Sequence, residues 1–187
     1  QMAITDDKLL QAMSALSRIY NALGVAKEVT ELVAQEAVVD KGFDKKLQEF
    51  DAKIKESLND DFNTAEMISY IFEVTRIFNG LELSKSKKKT AVHKGQATAY
   101  LKWIDKYGEM CALFTENPES ILERIEEIII SMRDIDIKAV EKLIERRVDA
   151  RAARDWELAD KLRDELAQLG VELFDGSKKG FRVKINE

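Results

Sequence analysis

The stretch NDDFNTAEMISYIFEVTRIFNG, residues 59–80, predicts one whole helix together with both of its ends. Asn63, with Glu66 three residues later, is suited to the N-cap, and the pair Asn79–Gly80 is typical of a helix end. Between these ends the apolar or small residues recur at intervals of three and four: Ile68, Ile71, Phe72, Thr75 and Phe78. This spacing indicates an amphipathic helix that must bury one face against other helices.

The segments on both sides of this stretch show the same periodicity. Helices are predicted from Thr5 to Gly24, at 44–58, at 92–114 and after the pair Asn117–Pro118, with a weaker one at 29–38. Only 8 Gly and 1 Pro interrupt the chain. Residues 1–134 are therefore expected to form an antiparallel helical bundle of about four or five helices.

The C-terminal part has a different pattern. Residues 136–154 and 156–169 predict two helices broken at Asp155, and Gly170 closes the second. VELF (171–174) and FRVKI (181–185) alternate like two short strands around the loop DGSKKG. The fold class predicted for the chain is mostly α, with a small helix-helix-β-hairpin module at 135–187.

Composition excludes several kinds of site. One Cys and one His cannot build a disulfide or a Cys/His zinc cluster, and no glycine-rich phosphate loop or nucleophile motif is present. No apolar run approaches the roughly 20 residues of a membrane span, and the N-terminus lacks signal-peptide features, so a cytoplasmic location is expected. The net charge is −5, but residues 138–187 hold 12 Lys+Arg and 11 Asp+Glu. A nucleic-acid partner is thus expected at the C-terminal end.

The stretch RRVDARAARDWELADKLRDELAQLG, residues 146–170, carries the candidate site. Arg147, Arg151 and Arg154 are spaced to share a helix face, and Trp156 precedes Asp160 by one turn. Arginine supplies planar donors, tryptophan can stack on an unpaired base, and a carboxylate can accept from guanine, which together suit single-stranded RNA. The alternative is a charged hairpin held by ion pairs with Trp156 closing the core, and spacing alone favours that alternative.

The order of several segments resembles the C-terminal third of the cysteinyl-tRNA synthetase family. The specific parts are LNDDFNT and ARAARDWELADKLRDEL followed by LG. The resemblance implies a DALR-type bundle along the tRNA and a terminal module that reads the GCA anticodon. It places ATP, zinc and cysteine activation in a catalytic domain outside this segment, so no cofactor is expected here and the segment alone should be inactive. The implied partners are tRNA(Cys) and that catalytic domain, with the protein a monomer.

The resemblance also assigns roles to single residues. Arg151 and Asp160 match contacts to the first anticodon base, a guanine, and Asp175 matches another anticodon contact. Arg154 and Trp156 lie in the same motif, although Trp156 could instead be a packing residue. Candidate phosphate contacts, by charge and position only, are Arg147, Arg163, Lys178 and Lys179. The loop DGSKKGFRV departs from the family form D-x-P-x-G-T-x-W, and Phe181 is the candidate replacement for its tryptophan.

Other interpretations cover less of the chain. RDWELADKLRDELAQL also resembles the helical hairpin by which excision-repair nuclease subunits associate, which would make this a protein–protein interaction module. The cysteine ligase of mycothiol synthesis is a relative of the synthetase, but it has no anticodon to read. SKSK at 84–87 echoes the KMSKS nucleotide loop and is expected to be a solvated loop, because no nucleotide-binding sheet is predicted beside it.

Overall fold

A computed structural model describes residues 5–173 and 181–183. Within these residues the chain forms seven α-helices and two short strands, which confirms the mostly α fold. The helices are α1 (Asp6–Leu32), α2 (Lys41–Asn59), α3 (Thr64–Asn79), α4 (Ala91–Cys111), α5 (Pro118–Met132), α6 (Ile137–Ala152) and α7 (Trp156–Gln168). The strands are β1 (Val171–Leu173) and β2 (Phe181–Val183), and a 3-10 turn covers Leu83–Lys85.

Helix α3 begins and ends where its sequence predicts. Asn63 Oδ1 accepts a hydrogen bond from the Glu66 N–H at 3.1 Å, and the Gly80 N–H donates to the Arg76 carbonyl. The buried face differs by about one position from the prediction, because Ile68 is exposed and Phe72 is half-buried. The residues that α3 buries are Met67, Ile71, Val74, Thr75 and Phe78.

The prediction that the first helix ends at Gly24 is wrong, since α1 continues to Leu32. Its buried positions continue past the glycine at helical spacing, through Ala26 and Val29, so tertiary packing outweighs the low helix propensity of one glycine. The separate helix predicted at 29–38 is therefore absent. Residues 33–40 are not helical, and the Val38 N–H donates to the Ala91 carbonyl at 2.9 Å.

The chain divides into two compact units: residues 15–122, and residues 1–14 with 123–187. The core of the first unit contains the stacked rings of Phe78 and Tyr100, whose centroids lie 4.1 Å apart. The buried hydroxyl groups of Thr75 and Tyr100 form a hydrogen bond of 3.0 Å. The domain boundary suggested at 134/135 stays a prediction.

In the second unit, α6 packs on α7, and α7 contacts β1. The antiparallel pairing of β1 and β2 has Val171 opposite Val183 and Leu173 opposite Phe181, which confirms the predicted hairpin within the described residues. The core that α6, α7 and the two strands share contains Val140, Leu166, Val171 and Phe181. The backbone N–H of Val183 donates to Glu126 Oε1 of α5 at 2.9 Å, so the strand pair is also tied to α5.

Candidate nucleic-acid interface

A tight turn at 153–155 separates α6 from α7. The Arg154 N–H donates to the Arg151 carbonyl at 3.1 Å, and the Asp155 N–H donates to the Ala150 carbonyl at 2.8 Å. These bonds form a Schellman motif, with Arg154 in the left-handed position at φ 60° where glycine is usual. Asp155 then caps α7, because its Oδ1 accepts from the Leu158 N–H at 3.0 Å. The predicted break at Asp155 is confirmed.

This turn changes the predicted arginine face. Arg147 and Arg151 lie on α6, one turn apart, but α6 ends at Ala152 and Arg154 follows in the turn. The prediction that Arg154 shares a helix face with the other two is therefore wrong. The Arg154 side chain leaves the backbone from a conformation that non-glycine residues adopt only at a cost of about 1–2 kcal/mol. Strain of this kind often persists where it positions a functional group.

Trp156 lies at the first position of α7 with 59% of its surface exposed. The alternative in which Trp156 closes the core is wrong. Near the turn the buried residues are small ones, Ala150 of α6 and Ala159 of α7. Small side chains let two helices approach closely, and the tryptophan that follows the turn is left in solvent.

The buried apolar faces of α6 and α7 are narrow. Among the leucines at helical spacing in and just after α7, Leu162 and Leu166 are buried, whereas Leu158 and Leu169 are exposed. Val148 of α6 is also exposed. Sequence reasoning missed the exposed Val148 and Leu158 as candidate contacts. The alanine-rich run ARAARDWELA is the signal that could have indicated small buried residues around the turn.

Asp160 is exposed on α7 and pairs with Arg163, with Nη1 and Oδ1 3.1 Å apart. Arg163 also contacts Asp164 at 3.3 Å, so the two carboxylates share one guanidinium. Exposed ion pairs of this kind contribute about 0–1 kcal/mol. The ion pairs expected for a charged hairpin are therefore present. They are weak enough for Asp160 and Arg163 to exchange them for contacts to RNA.

The remaining arginines differ in access. Arg151 is exposed and forms no ion pair with any residue that the structure describes. Arg147 is half-buried, and its buried Nε has no hydrogen-bond partner there. Arg151 is therefore the better placed of the two for a base or phosphate contact.

Three predicted site residues, Asp175, Lys178 and Lys179, lie outside the described residues. Phe181 is only 2% exposed and belongs to the core that α6, α7 and the two strands share. The hypothesis that Phe181 replaces the family's loop tryptophan as a stacking surface is therefore wrong for this conformation. Trp156 is the exposed aromatic side chain of the hairpin.

The described residues show neither a metal-binding cluster nor a membrane-spanning helix. Within 5–173 and 181–183, no group of three or more His, Cys, Asp or Glu could hold a metal ion. None of the described helices is long and apolar enough to cross a bilayer.

Comparison with known proteins gives two family matches. The DALR domain matches residues 53–114, and the cysteinyl-tRNA ligase anticodon binding domain matches residues 138–179. The first range runs from α2 to just past the end of α4, and the second contains the hairpin with Arg151, Trp156 and Asp160.

Similar proteins are cysteine–tRNA ligases. The one from Bdellovibrio bacteriovorus is 32% identical over 177 residues, which are 94% of this chain and 36% of the relative. The one from Geobacter sulfurreducens is 33% identical over 93% of this chain and 35% of its own length. The Klebsiella pneumoniae ligase is 31% identical over 94% of this chain and 33% of its own length. The chain thus spans about a third of the relatives it matches. With both domains and the hairpin motif in order along it, the chain belongs to the cysteinyl-tRNA ligase family.

Proposed function

We propose that this chain is the tRNA-binding region of a cysteine–tRNA ligase and that its α6–α7 hairpin reads the GCA anticodon of tRNA(Cys). The reading surface consists of Arg151, Arg154, Trp156 and Asp160. The observation that carries the proposal is the exposed Trp156, held at a capped helix start inside the segment that matches the anticodon-binding domain.

The chemistry of these side chains suits a single-stranded loop. Unstacked anticodon bases can be splayed onto a protein surface, where an aromatic ring contributes about 1–3 kcal/mol per stacked base. The Asp160 carboxylate is an acceptor for the N1–H and amino group of guanine. Arg151 and Arg154 supply donors for base edges or phosphates. Breaking the exposed Asp160–Arg163 pair costs little by comparison.

Other parts of the proposal rest on the family. Residues 1–134 would set the distance between the anticodon and the catalytic centre, and residues 135–187 would form the reading module. Cysteine activation, ATP and zinc belong to a catalytic domain that is the chain's partner. Arg147, Arg163, Lys178 and Lys179 would contact phosphates, and Asp175 would contact the anticodon. The protein is proposed to act as a cytoplasmic monomer.

A Trp156→Ala substitution tests the proposal. Binding of the chain to a fluorescently labelled anticodon stem-loop of tRNA(Cys) is measured by anisotropy. Loss of one stacked base should weaken binding roughly 5- to 150-fold. Leu169→Ala is the control. Like Trp156, this apolar side chain is exposed, but it follows the C-terminal end of α7, at the opposite end of the helix from Trp156. Equal loss in both variants, or no loss with Trp156→Ala, would refute the reading surface.

A further inference from the structure

One stretch of the helical bundle carries a charge opposite to that of the chain as a whole. Residues 83–104 hold six of the chain's 30 Lys and Arg residues and none of its 35 Asp and Glu residues. A stretch of this length would hold about four acidic residues at the chain's average. The net charge of −5 already favours solubility, so this local excess of lysine calls for a different explanation.

The basic stretch begins with a loop that its own residues hold in shape. This lysine loop, residues 84–89 with the sequence SKSKKK, leads into α4. The Lys89 ammonium donates to the carbonyl group of Leu83, to that of Ser84 at 3.2 Å and to that of Ser86 at 3.0 Å. Leu83 is 3% exposed and belongs to the core of the first unit. The lysine loop is therefore anchored at its base and folded around Lys89.

Two neighbouring lysines of the lysine loop have free ammonium groups. Lys85 pairs with Glu82, with Nζ and Oε1 2.6 Å apart, and Lys89 is bonded to carbonyl groups. Lys87 and Lys88 are exposed, and their ammonium groups contact no carboxylate or other acceptor among the residues that the structure describes. An anion that binds them displaces no existing ion pair. It also meets a backbone that is already ordered, which lowers the entropy cost of binding.

The start of α4 adds to the positive field of the lysine loop. Its cap is neutral: the Thr90 hydroxyl accepts from the His93 N–H at 3.3 Å, and His93 Nδ1 accepts from the Thr90 N–H at 3.2 Å. Its first turn holds no Asp or Glu, whereas each of the other described α-helices has an acidic N-cap or an acidic residue in its first turn. A helix N-terminus carries about half a positive charge, and no carboxylate at the start of α4 offsets it.

The chemistry of this surface favours the phosphate backbone of RNA. Lysine ammonium groups act as flexible point charges, which suit contacts to phosphate oxygens that do not depend on the base sequence. An RNA strand offers such phosphates in a closely spaced row. The lysine loop contains only Ser and Lys, so it has no apolar side chain to insert into a lipid bilayer, and charge alone gives weak membrane binding.

We propose that the lysine loop and the start of α4 form a phosphate-binding surface for the tRNA backbone outside the anticodon stem-loop. Lys87 and Lys88 contact neighbouring phosphates, and the bonds of Lys89 keep the loop in position for them. The inference rests on the proposed tRNA-binding function but not on anticodon reading. It gives the otherwise acidic bundle a contact to RNA that adds affinity without base preference.

The test compares two RNAs and one double variant, Lys87→Gln with Lys88→Gln. Anisotropy measures binding of the chain to a labelled full-length tRNA(Cys) transcript and to its isolated anticodon stem-loop at several KCl concentrations. For the full transcript we expect binding roughly 10- to 50-fold weaker at 0.1 M salt, with the slope of log K against log salt reduced by about 2. Binding of the stem-loop should not change.

The control is Lys45→Gln with Lys46→Gln, which removes the same charge from two adjacent exposed lysines of α2 and should leave affinity and slope nearly unchanged. An unchanged slope in the lysine-loop variant, or an equal change in both double variants, would overturn the proposal. Weaker binding of the stem-loop by the lysine-loop variant would also overturn it, because the contact would then lie on the anticodon arm. Trp156→Ala should weaken binding of both RNAs, so failure of the reading surface and failure of the lysine loop give different patterns.

Discussion

The left-handed conformation of Arg154 makes Arg154→Gly a variant whose effects on stability and on RNA binding should have opposite signs. A non-glycine residue at φ 60° costs about 1–2 kcal/mol. Glycine removes that strain but adds chain entropy to the unfolded state, at about 0.5–1 kcal/mol. The net result should be a hairpin more stable by up to about 1.5 kcal/mol. The guanidinium is lost at the same time, so binding to the anticodon stem-loop should fall about tenfold.

Hydrogen exchange of the buried α7 residues Leu162 and Leu166 reports the stability of the hairpin, and anisotropy reports RNA binding. The control is Ala153→Gly, because Ala153 is the adjacent residue with an ordinary helical φ of −75°. It should destabilise the hairpin by about 0.5–1 kcal/mol and leave the guanidinium in place. Faster exchange in Arg154→Gly than in the unsubstituted chain would refute the role given to the turn. Unchanged RNA binding would remove Arg154 from the reading surface.

Two further predictions concern the bundle. Gly95→Ala should destabilise it by about 1–3 kcal/mol in urea unfolding, because a Cβ there would lie 2.7 Å from the Val38 carbonyl carbon and closer still to its oxygen. Gly24→Ala, with nothing nearer than 4.0 Å, should instead stabilise α1 by up to about 1 kcal/mol, and the same sign for both would contradict the packing described. Asp40 has a pKa below its ordinary 3.8, so its contribution to stability is present above that value and is lost as pH falls through the lowered pKa. Asp40→Asn should therefore reduce the loss of stability at acidic pH in a plot of unfolding free energy against pH. An unchanged loss would contradict the hydrogen bonds that Asp40 accepts from Gln96 Nε2 and from the backbone N–H groups of Gly42 and Phe43.

Local signals in the sequence were sufficient for several helix ends. Asn63 and Asp155 each accept from a backbone N–H three residues later, as their positions before apolar runs predict. Gly170 follows α7 at φ 73°, where a side chain would be strained. These features depend on neighbours within a few residues, so the sequence alone specifies them.

Packing between helices was not specified in this way. Nothing local to Gly24 shows that α1 continues, because the reason is burial of Ala26 and Val29 against other helices. The same holds for the site: Trp156 is a large apolar residue that spacing alone places in the core. In the structure the buried positions on either side of the turn are taken by Ala150 and Ala159, and Trp156 is left in solvent.

Whether the α6–α7 hairpin reads the anticodon is decided by comparing the base preference of the Asp160→Asn variant with that of the unsubstituted chain. The affinity of the chain is measured for tRNA(Cys) transcripts with guanine or adenine at the first anticodon position. We expect a preference for guanine of about 5- to 150-fold, which the substitution largely removes. Asp164→Asn is the control, since Asp164 has the same 67% side-chain exposure and shares Arg163, and it should keep the preference. Equal binding of both transcripts by the unsubstituted chain, or a preference that survives Asp160→Asn, would show that Asp160 does not read the first anticodon base.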